Sequence, residues 1–203
     1  MRQIPLPLPT GADQPTRIVV GAANIEAVDS MMRAEHWPFR TAMLSGPVAS
    51  GKSLLARWFV ESGQGDAIDD APDVPEDAVF HAWNRAQESG RPLLIVSAEL
   101  YGAGEGHWNV KLPDLRSRLG AALQLQIGAP DDEMLADLIE VHAEARGLAL
   151  DHASTAYLAG RAERSHLGAR QLVEVIDRLS LERKQPPTQS ILRDALAEVR
   201  GQG

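Results

Sequence analysis

The chain has 203 residues, 44% hydrophobic and 24% charged, with a formal net charge of −8. Such a chain folds as a globule, and its acidic balance argues against strong, non-specific attachment to a nucleic-acid backbone. There is no cysteine, which excludes a disulfide framework, a thiol nucleophile and Cys-ligated zinc. No apolar stretch approaches the ~18 residues of a membrane span.

Residues 1–16 are proline-rich and read as an extended, poorly ordered tail without the apolar run of a signal peptide. A cytoplasmic location is therefore expected. Ile18-Val19-Val20-Gly21 is a short apolar run, and Asn24 is placed to cap a helix to about Glu35 with Ile25, Val28, Met31 and Met32 on one face. Thr41–Leu44 reads as a buried strand. It leads into Gly46-Pro47-Val48-Ala49-Ser50-Gly51-Lys52-Ser53, which fits the phosphate-loop pattern G-x-x-x-x-G-K-[ST].

Each fixed position of that loop has a physical role. Gly46 and Gly51 let backbone N–H groups turn toward phosphate oxygens. Lys52 brings a cation to the outer phosphates, and the Ser53 hydroxyl can ligate Mg²⁺. Pro47, Ala49, Ser50 and Leu54 complete the candidate nucleotide-binding set, with a helix over 53–60 presenting its positive end.

Asp66–Asp70 reads as a short strand with an acidic end, on which Asp69 is the candidate Mg²⁺ carboxylate and Asp70 the residue that orients water. The sixteen residues 53–68 between Lys52 and Asp69 leave room for one helix and a turn, not for a further strand–helix unit. An exposed sheet edge is the expected result. A helix from Pro75 to Ser89, the apolar strand 92–97, a glycine-rich loop over 101–112, a helix at 113–119 and a strand at 122–127 follow. From Ala129-Pro130 onward the pattern is helical, with four segments beginning near Asp131, Asp151, Ala169 and Ser190. Trp37 and Trp83 are assigned to the core. Trp108 and Tyr101 are left as either core plugs or partner contacts.

This order of motifs resembles the AAA+ ATPases and, within them, the DnaA-related regulators of the Hda type. The resemblance spans nearly the whole chain. It implies an α/β P-loop nucleotide-binding domain with a parallel sheet, its edge strand unit reduced, over residues 17–128, a small all-helical lid over 129–203, and the tail over 1–16. Residues 17–24 look like the segment bordering an adenine pocket, which adds Val20. Ile68-Asp69-Asp70 matches the acidic Walker B strand, and Ser97 falls at the first sensor. Leu112-Pro113-Asp114-Leu115-Arg116-Ser117-Arg118-Leu119 is similar to the segment ending in an arginine finger, which maps to Arg118, with Arg116 in support. Gly168-Ala169-Arg170-Gln171-Leu172 resembles the second-sensor helix, with Arg170 as its arginine. Gln3-Ile4-Pro5-Leu6-Pro7-Leu8 looks like a clamp-binding peptide, pre-extended by its prolines.

The resemblance implies ADP or ATP with Mg²⁺ as cofactors, and DnaA and the β sliding clamp of DNA polymerase III as partners. Homodimerisation stays open. The chain would act as a negative regulator of replication initiation, with weak or no ATPase of its own. Asp70 stands where most AAA+ proteins carry Glu, and a regulator without the DNA-binding domain of DnaA is expected. Two other functions fit the same motifs: a clamp-tethered binding module for which nucleotide is a structural ligand, and a self-sufficient oligomeric ATPase of the helicase-loader kind.

Overall fold

The computed structural model describes residues 2–5, 17–98, 100–101 and 107–201. In chain order the elements are β1 (Arg2–Pro5), β2 (Arg17–Val20), α1 (Ile25–Met31), β3 (Thr41–Ser45), α2 (Lys52–Glu61), β4 (Asp66–Ile68), α3 (Glu76–Ser89) and β5 (Leu93–Ser97). They continue as β6 (Leu100–Tyr101), β7 (His107–Trp108), α4 (Pro113–Ala121), β8 (Leu123–Gln126), α5 (Asp132–Ala145), α6 (His152–Ala159), α7 (His166–Arg183) and α8 (Gln189–Gly201). Two compact units result: a sheet unit of residues 24–128, and a helical unit of the described residues up to Ala23 with those from Ala129 on.

In the sheet unit four parallel strands lie in the order β4-β5-β3-β8. The two central strands, Thr41–Ser45 and Leu93–Ser97, are buried along their length apart from half-buried Ser45. That is why they read as unbroken apolar runs and not as alternation. β8, at one edge, alternates Leu and Gln, with Leu125 buried and both glutamines exposed. β4 forms the other edge, and among the described residues no strand pairs with its outer side. The short link from Lys52 to Asp69 therefore does leave the acidic strand at the margin of the sheet.

β4 is placed by close packing. A Cβ at Gly65 would stand 2.6 Å from Phe59 Cε1 and closer still to the Pro92 carbonyl oxygen, while Asp66 N–H donates to that same oxygen at 2.8 Å. Phe59 is fully buried and stacks on Trp37 with ring centroids 5.3 Å apart. Neither the carbonyl nor the stacked ring can retreat, so Gly65→Ala is expected to destabilise the sheet unit by about 2 kcal/mol through overpacking. A lowered urea midpoint with unchanged slope is the measurable form of that loss.

The helix expected from Asn24 to Glu35 is shorter than its sequence suggests. α1 ends at Met31, and two 3-10 turns, Ala34–His36 and Pro38–Arg40, replace the rest. Trp37 precedes a proline and is extended, with ψ 138°, as pre-proline residues prefer. The buried face is Ala27, Val28 and Met31, whereas Ile25 and Met32 are exposed. Asn24 makes no side-chain cap. The loop expected over 101–112 instead carries β7 and the end of β6, which pair with each other. Trp108 is a core residue, packed with Leu115 and Leu119. Trp83 is half-buried at the rim of that core, not inside it. The side chain of Tyr101 lies outside the described residues.

The helical unit packs α5–α8 around Leu135, Ile139, Leu158, Leu172, Ile176 and Ile191. Side chains cap three of its helices: Asp131 accepts from Met134 N–H, Asp151 from Ser154 N–H, and Ser165 from Gly168 N–H. Such caps each stabilise by about 1 kcal/mol. β2 packs on α5 through Val19 against Met134 and Val141. Instead of an unpartnered tail, Arg2–Pro5 forms β1, antiparallel to β2, with Gln3 opposite Val19 and Ile4 opposite Ile18. Leu6, Pro7 and Leu8 lie outside the described residues.

Candidate nucleotide site

Parallel register brings three predicted features to one edge of the sheet. Ser45, where the phosphate loop begins, pairs with Ser97 at the end of β5. Ile68 pairs with Ile95, so Asp69 and Asp70 leave β4 at the level where β5 ends. Ligands of open α/β sheets gather at this carboxyl edge. Ser97 is buried, while Asp69 and Asp70 are exposed.

The loop is built to bring its backbone close to a ligand. A Cβ at Gly46 would meet the Ile127 Cβ at 2.9 Å and Ser50 Oγ at 3.2 Å, so only glycine lets the loop close over the end of β8. Ala49 and Gly51 both have positive φ, 61° and 84°, a conformation that turns successive N–H groups to one side. Gly51 is the N-cap of α2 and supplies no capping side chain, which leaves the first helical N–H groups directed at the loop. Ser50 is 6% exposed, and among the described residues its Oγ has no hydrogen-bond partner. A buried hydroxyl in that condition, in the loop that leads into a helix N-terminus, fits an oxygen-rich anion.

Lys52 is 8% exposed. Its ammonium donates to the carbonyls of Gly46 at 2.9 Å and Pro47 at 2.7 Å. Burial pushes its pKa down, and the Asp69 and Asp70 carboxylates pull it part of the way back. The lysine and both acids thus act on one another electrostatically, as a triphosphate–Mg²⁺ site requires. Asp70 sits in the left-handed region at φ 47°, and its N–H donates to Asp69 Oδ1 at 3.1 Å. This reversal ends β4 and ties the Asp69 carboxylate to the Asp70 backbone. Ser53 is exposed on the first turn of α2. Mg²⁺ takes few protein ligands and completes its shell with phosphates and water, so the Ser53 hydroxyl and one acid suffice from the protein.

Arg118 is half-buried on α4, and the partners of its guanidinium are all on α3. Cζ lies 4.3 Å from the Phe80 ring centroid and 4.4 Å from that of Trp83, and Nη1 donates to Asn84 Oδ1. Among the described residues no carboxylate pairs with it. Arg116 folds back on its own segment and donates to the Val110 carbonyl through Nε at 2.9 Å and through Nη2. Glu76 fixes the start of α4 by accepting from the backbone N–H groups of Lys111 at 2.8 Å and Leu112 at 2.7 Å. Sequence reasoning overlooked the Phe80–Trp83–Asn84 cradle. Its spacing of three and four residues along a helix was the available signal.

Val20 and Arg170 belong to the helical unit. Val20 is buried in β2. Arg170 Nε lies 3.6 Å from Glu174 Oε1, and the same oxygen accepts from Arg146 Nη2 at 3.1 Å. Nearby His142 is buried, and its pKa is lowered from 6.5 to about 4 by burial and by the charges of Arg146, Arg170 and His166. The unfolded chain therefore takes up a proton that the folded chain refuses as pH falls below 6.5. Stability is complete above that value and declines toward pH 4, by roughly 3 kcal/mol from this one group. Urea unfolding at pH 7.5 and 4.5 is expected to show a smaller acid loss in His142→Gln than in wild type, by that amount.

No protein-family model matches the chain. An uncharacterised protein of Haemophilus influenzae is 31% identical over 110 residues, 54% of this chain and 46% of the relative. The chain thus spans about half the length of the curated relative it matches. Among solved structures, domain III of the Thermotoga maritima replication initiation protein DnaA superposes with a TM-score of 0.68 at 16% identity, over 89% of this chain and 94% of that one. The replication initiator DnaA bound to AMPPCP and single-stranded DNA gives 0.60 at 15%, over 82% and 66%. The Thermotoga maritima Holliday junction branch migration motor RuvB gives 0.55 at 15%, over 85% and 67%. The fold is the DnaA-like AAA+ fold. No helix among the described residues is long and apolar enough to cross a membrane.

Proposed function

We propose that this protein is an Hda-type cytoplasmic regulator that binds ADP or ATP with Mg²⁺, tethers itself to the β sliding clamp, and activates hydrolysis of ATP held by DnaA. The observation that carries this reading is the setting of Arg118. Among the described residues its cation rests on neutral groups, two aromatic faces and one amide oxygen. Giving up such contacts costs about 2–3 kcal/mol, at roughly 0.5–1 for each cation–π pair and about 1 for the hydrogen bond. An arginine offered to a transferring phosphoryl group returns 10³–10⁵ in rate, or about 4–7 kcal/mol. The exchange favours release toward a partner's phosphates.

In this reading the local site is a latch. Bound nucleotide supplies phosphate charge at the sheet edge. Lys52, the loop amides and Ser50 hold that charge, Ser53 and Asp69 carry the metal, and Ser97 and Arg170 sense the bound state. Asp70 is one methylene shorter than Glu and polarises water over a shorter reach, in keeping with slow turnover in this chain. Arg118 donates its planar fork to the partner's phosphoryl oxygens as charge spreads over them.

The tether consists of Gln3, Ile4, Pro5, Leu6, Pro7 and Leu8. It contributes location: held on a clamp, the chain meets clamp-bound partners at high effective concentration. Leu6→Ala is expected to weaken clamp binding by about 20-fold, the loss of one buried leucine. Isothermal titration of the full chain with purified clamp measures it, and an unchanged affinity removes the tether from the proposal.

A further inference from the structure

The helix that carries Arg118 is fixed to α3 at two places. At the root of α4, Glu76 Oε1 accepts from Lys111 N–H at 2.8 Å and Oε2 from Leu112 N–H at 2.7 Å. About two turns further along α3, Phe80, Trp83 and Asn84 hold the Arg118 guanidinium. Glu76 is the first residue of α3, so one helix grips both the start of α4 and the tip of its arginine.

The carboxylate supplies a cap that α4 cannot make for itself. Leu112 is the N-cap, and Pro113 follows at the first helical position. A leucine has no polar side chain, and a proline has no N–H. The peptide joining Val110 to Lys111 is held at both ends: its carbonyl accepts from Arg116 Nε at 2.9 Å, and its N–H donates to Glu76.

Apolar packing does not supply the same control. Leu115 and Leu119 bury one face of α4 in a cluster shared with Val79 and Ala82 of α3. Such burial is non-directional and leaves the helix some freedom to slide and tilt. Hydrogen bonds to a carboxylate are directional and about twice as strong as neutral ones. They set where α4 begins, and Arg118 lies six residues beyond Leu112, about 9 Å along a rigid helix. The Glu76 bonds are made to backbone, so they persist when the Arg118 side chain swings out of its cradle. A displacement of about 1 Å at the root of α4 is carried to the guanidinium, and an error of that size can cost about 100-fold where rate depends on placement.

We propose that Glu76 is a positioning residue for Arg118: it sets the place from which the arginine enters a partner's phosphate site. This role rests on the function proposed for Arg118, whereas the dependence of the Arg118 position on Glu76 is a property of the chain alone.

Glu76→Gln and Glu76→Asp test the role in the full chain. Gln keeps one acceptor and turns an amide NH₂ toward the other N–H. Asp keeps the charge at the start of α3 but is one methylene too short to reach both N–H groups. A loss shared by the two variants therefore does not come from the charge that favours α3. NMR spectra of the free chain are expected to show displaced amide signals at 111 and 112 and a displaced Arg118 Nε–H signal in both variants, with the phosphate-loop amides unmoved. A fold merely weakened leaves the Arg118 signal of its folded molecules in place. In single-turnover phosphate release from ATP-loaded DnaA, with clamp and DNA, both variants are expected to lower the maximal rate by about tenfold. The DnaA concentration at half-maximum should change by less than about twofold. Displaced amides at 111 and 112 with an unmoved Arg118 signal overturn the link. A wild-type maximal rate, or a loss confined to the half-maximal concentration, overturns the positioning role. Arg118→Ala, run alongside, separates two failures. Undiminished release in that variant overturns the function on which the role rests. Diminished release there, beside undiminished release in Glu76→Gln, overturns the role of Glu76 alone.

Discussion

Arg118→Ala is expected to lower stimulated hydrolysis of DnaA-bound ATP by about 10³-fold, the lower range for an arginine supplied in trans. The substitution should leave the chain's own nucleotide affinity unchanged, because among the described residues the Arg118 guanidinium bonds and stacks with α3 and not with the phosphate loop. Its structural cost is small: two cation–π contacts at a half-exposed site and one hydrogen bond, together about 2–3 kcal/mol. Arg118→Lys separates charge from shape. A lysine keeps the cation but loses the planar fork that spans two phosphoryl oxygens, so it should recover little of the rate. Single-turnover phosphate release in the presence of clamp and DNA reads both variants. Recovery by lysine would assign Arg118 to charge alone.

Lys52→Ala is expected to weaken ADP and ATP binding by about 100-fold, the worth of charge-assisted bonds to outer phosphate oxygens. The buried ammonium now spans two loop carbonyls, Gly46 and Pro47, and faces the field of Asp69 and Asp70. Removing it leaves those carbonyls unpaired and two carboxylates without a nearby cation. Binding therefore suffers twice, through the lost contact and through a loop that closes less readily around phosphate. Fluorescence anisotropy with a labelled adenine nucleotide measures the change. A small effect, under about threefold, would mean that the loop does not hold phosphate.

The phosphate loop was legible because each position answers to a separate physical demand. Tight approach at Gly46, positive φ at Gly51 and a cation at Lys52 leave little freedom. The buried strands β3 and β5 declared themselves as apolar runs, and Asp131 and Asp151 marked the starts of the helices that the structure shows them to cap. β4 was legible only in context, since three residues at a sheet edge carry almost no pattern. The length of α1 was misjudged because the turn at Trp37-Pro38 overrides a helical pattern that continues on paper. β1 was missed because a proline-rich segment reads as extended whether or not it has a partner, and its pairing with Arg17–Val20 is a tertiary fact. The spacing of Phe80, Trp83 and Asn84 puts them on one face of α3, but the cradle's occupant lies on another helix, so no local rule could attach Arg118 to it. Ser165 was overlooked as a cap, which placed the start of α7 three residues late.

The central claim is that hydrolysis happens on the partner. It is tested most directly by loading γ-labelled ATP onto DnaA alone, then onto this protein alone, and following label release with clamp and DNA in both mixtures. The account predicts rapid release from DnaA that depends on Arg118, and slow release from this protein that does not. Rapid release from this protein's own ATP, or identical release from DnaA with wild type and Arg118→Ala, would contradict it.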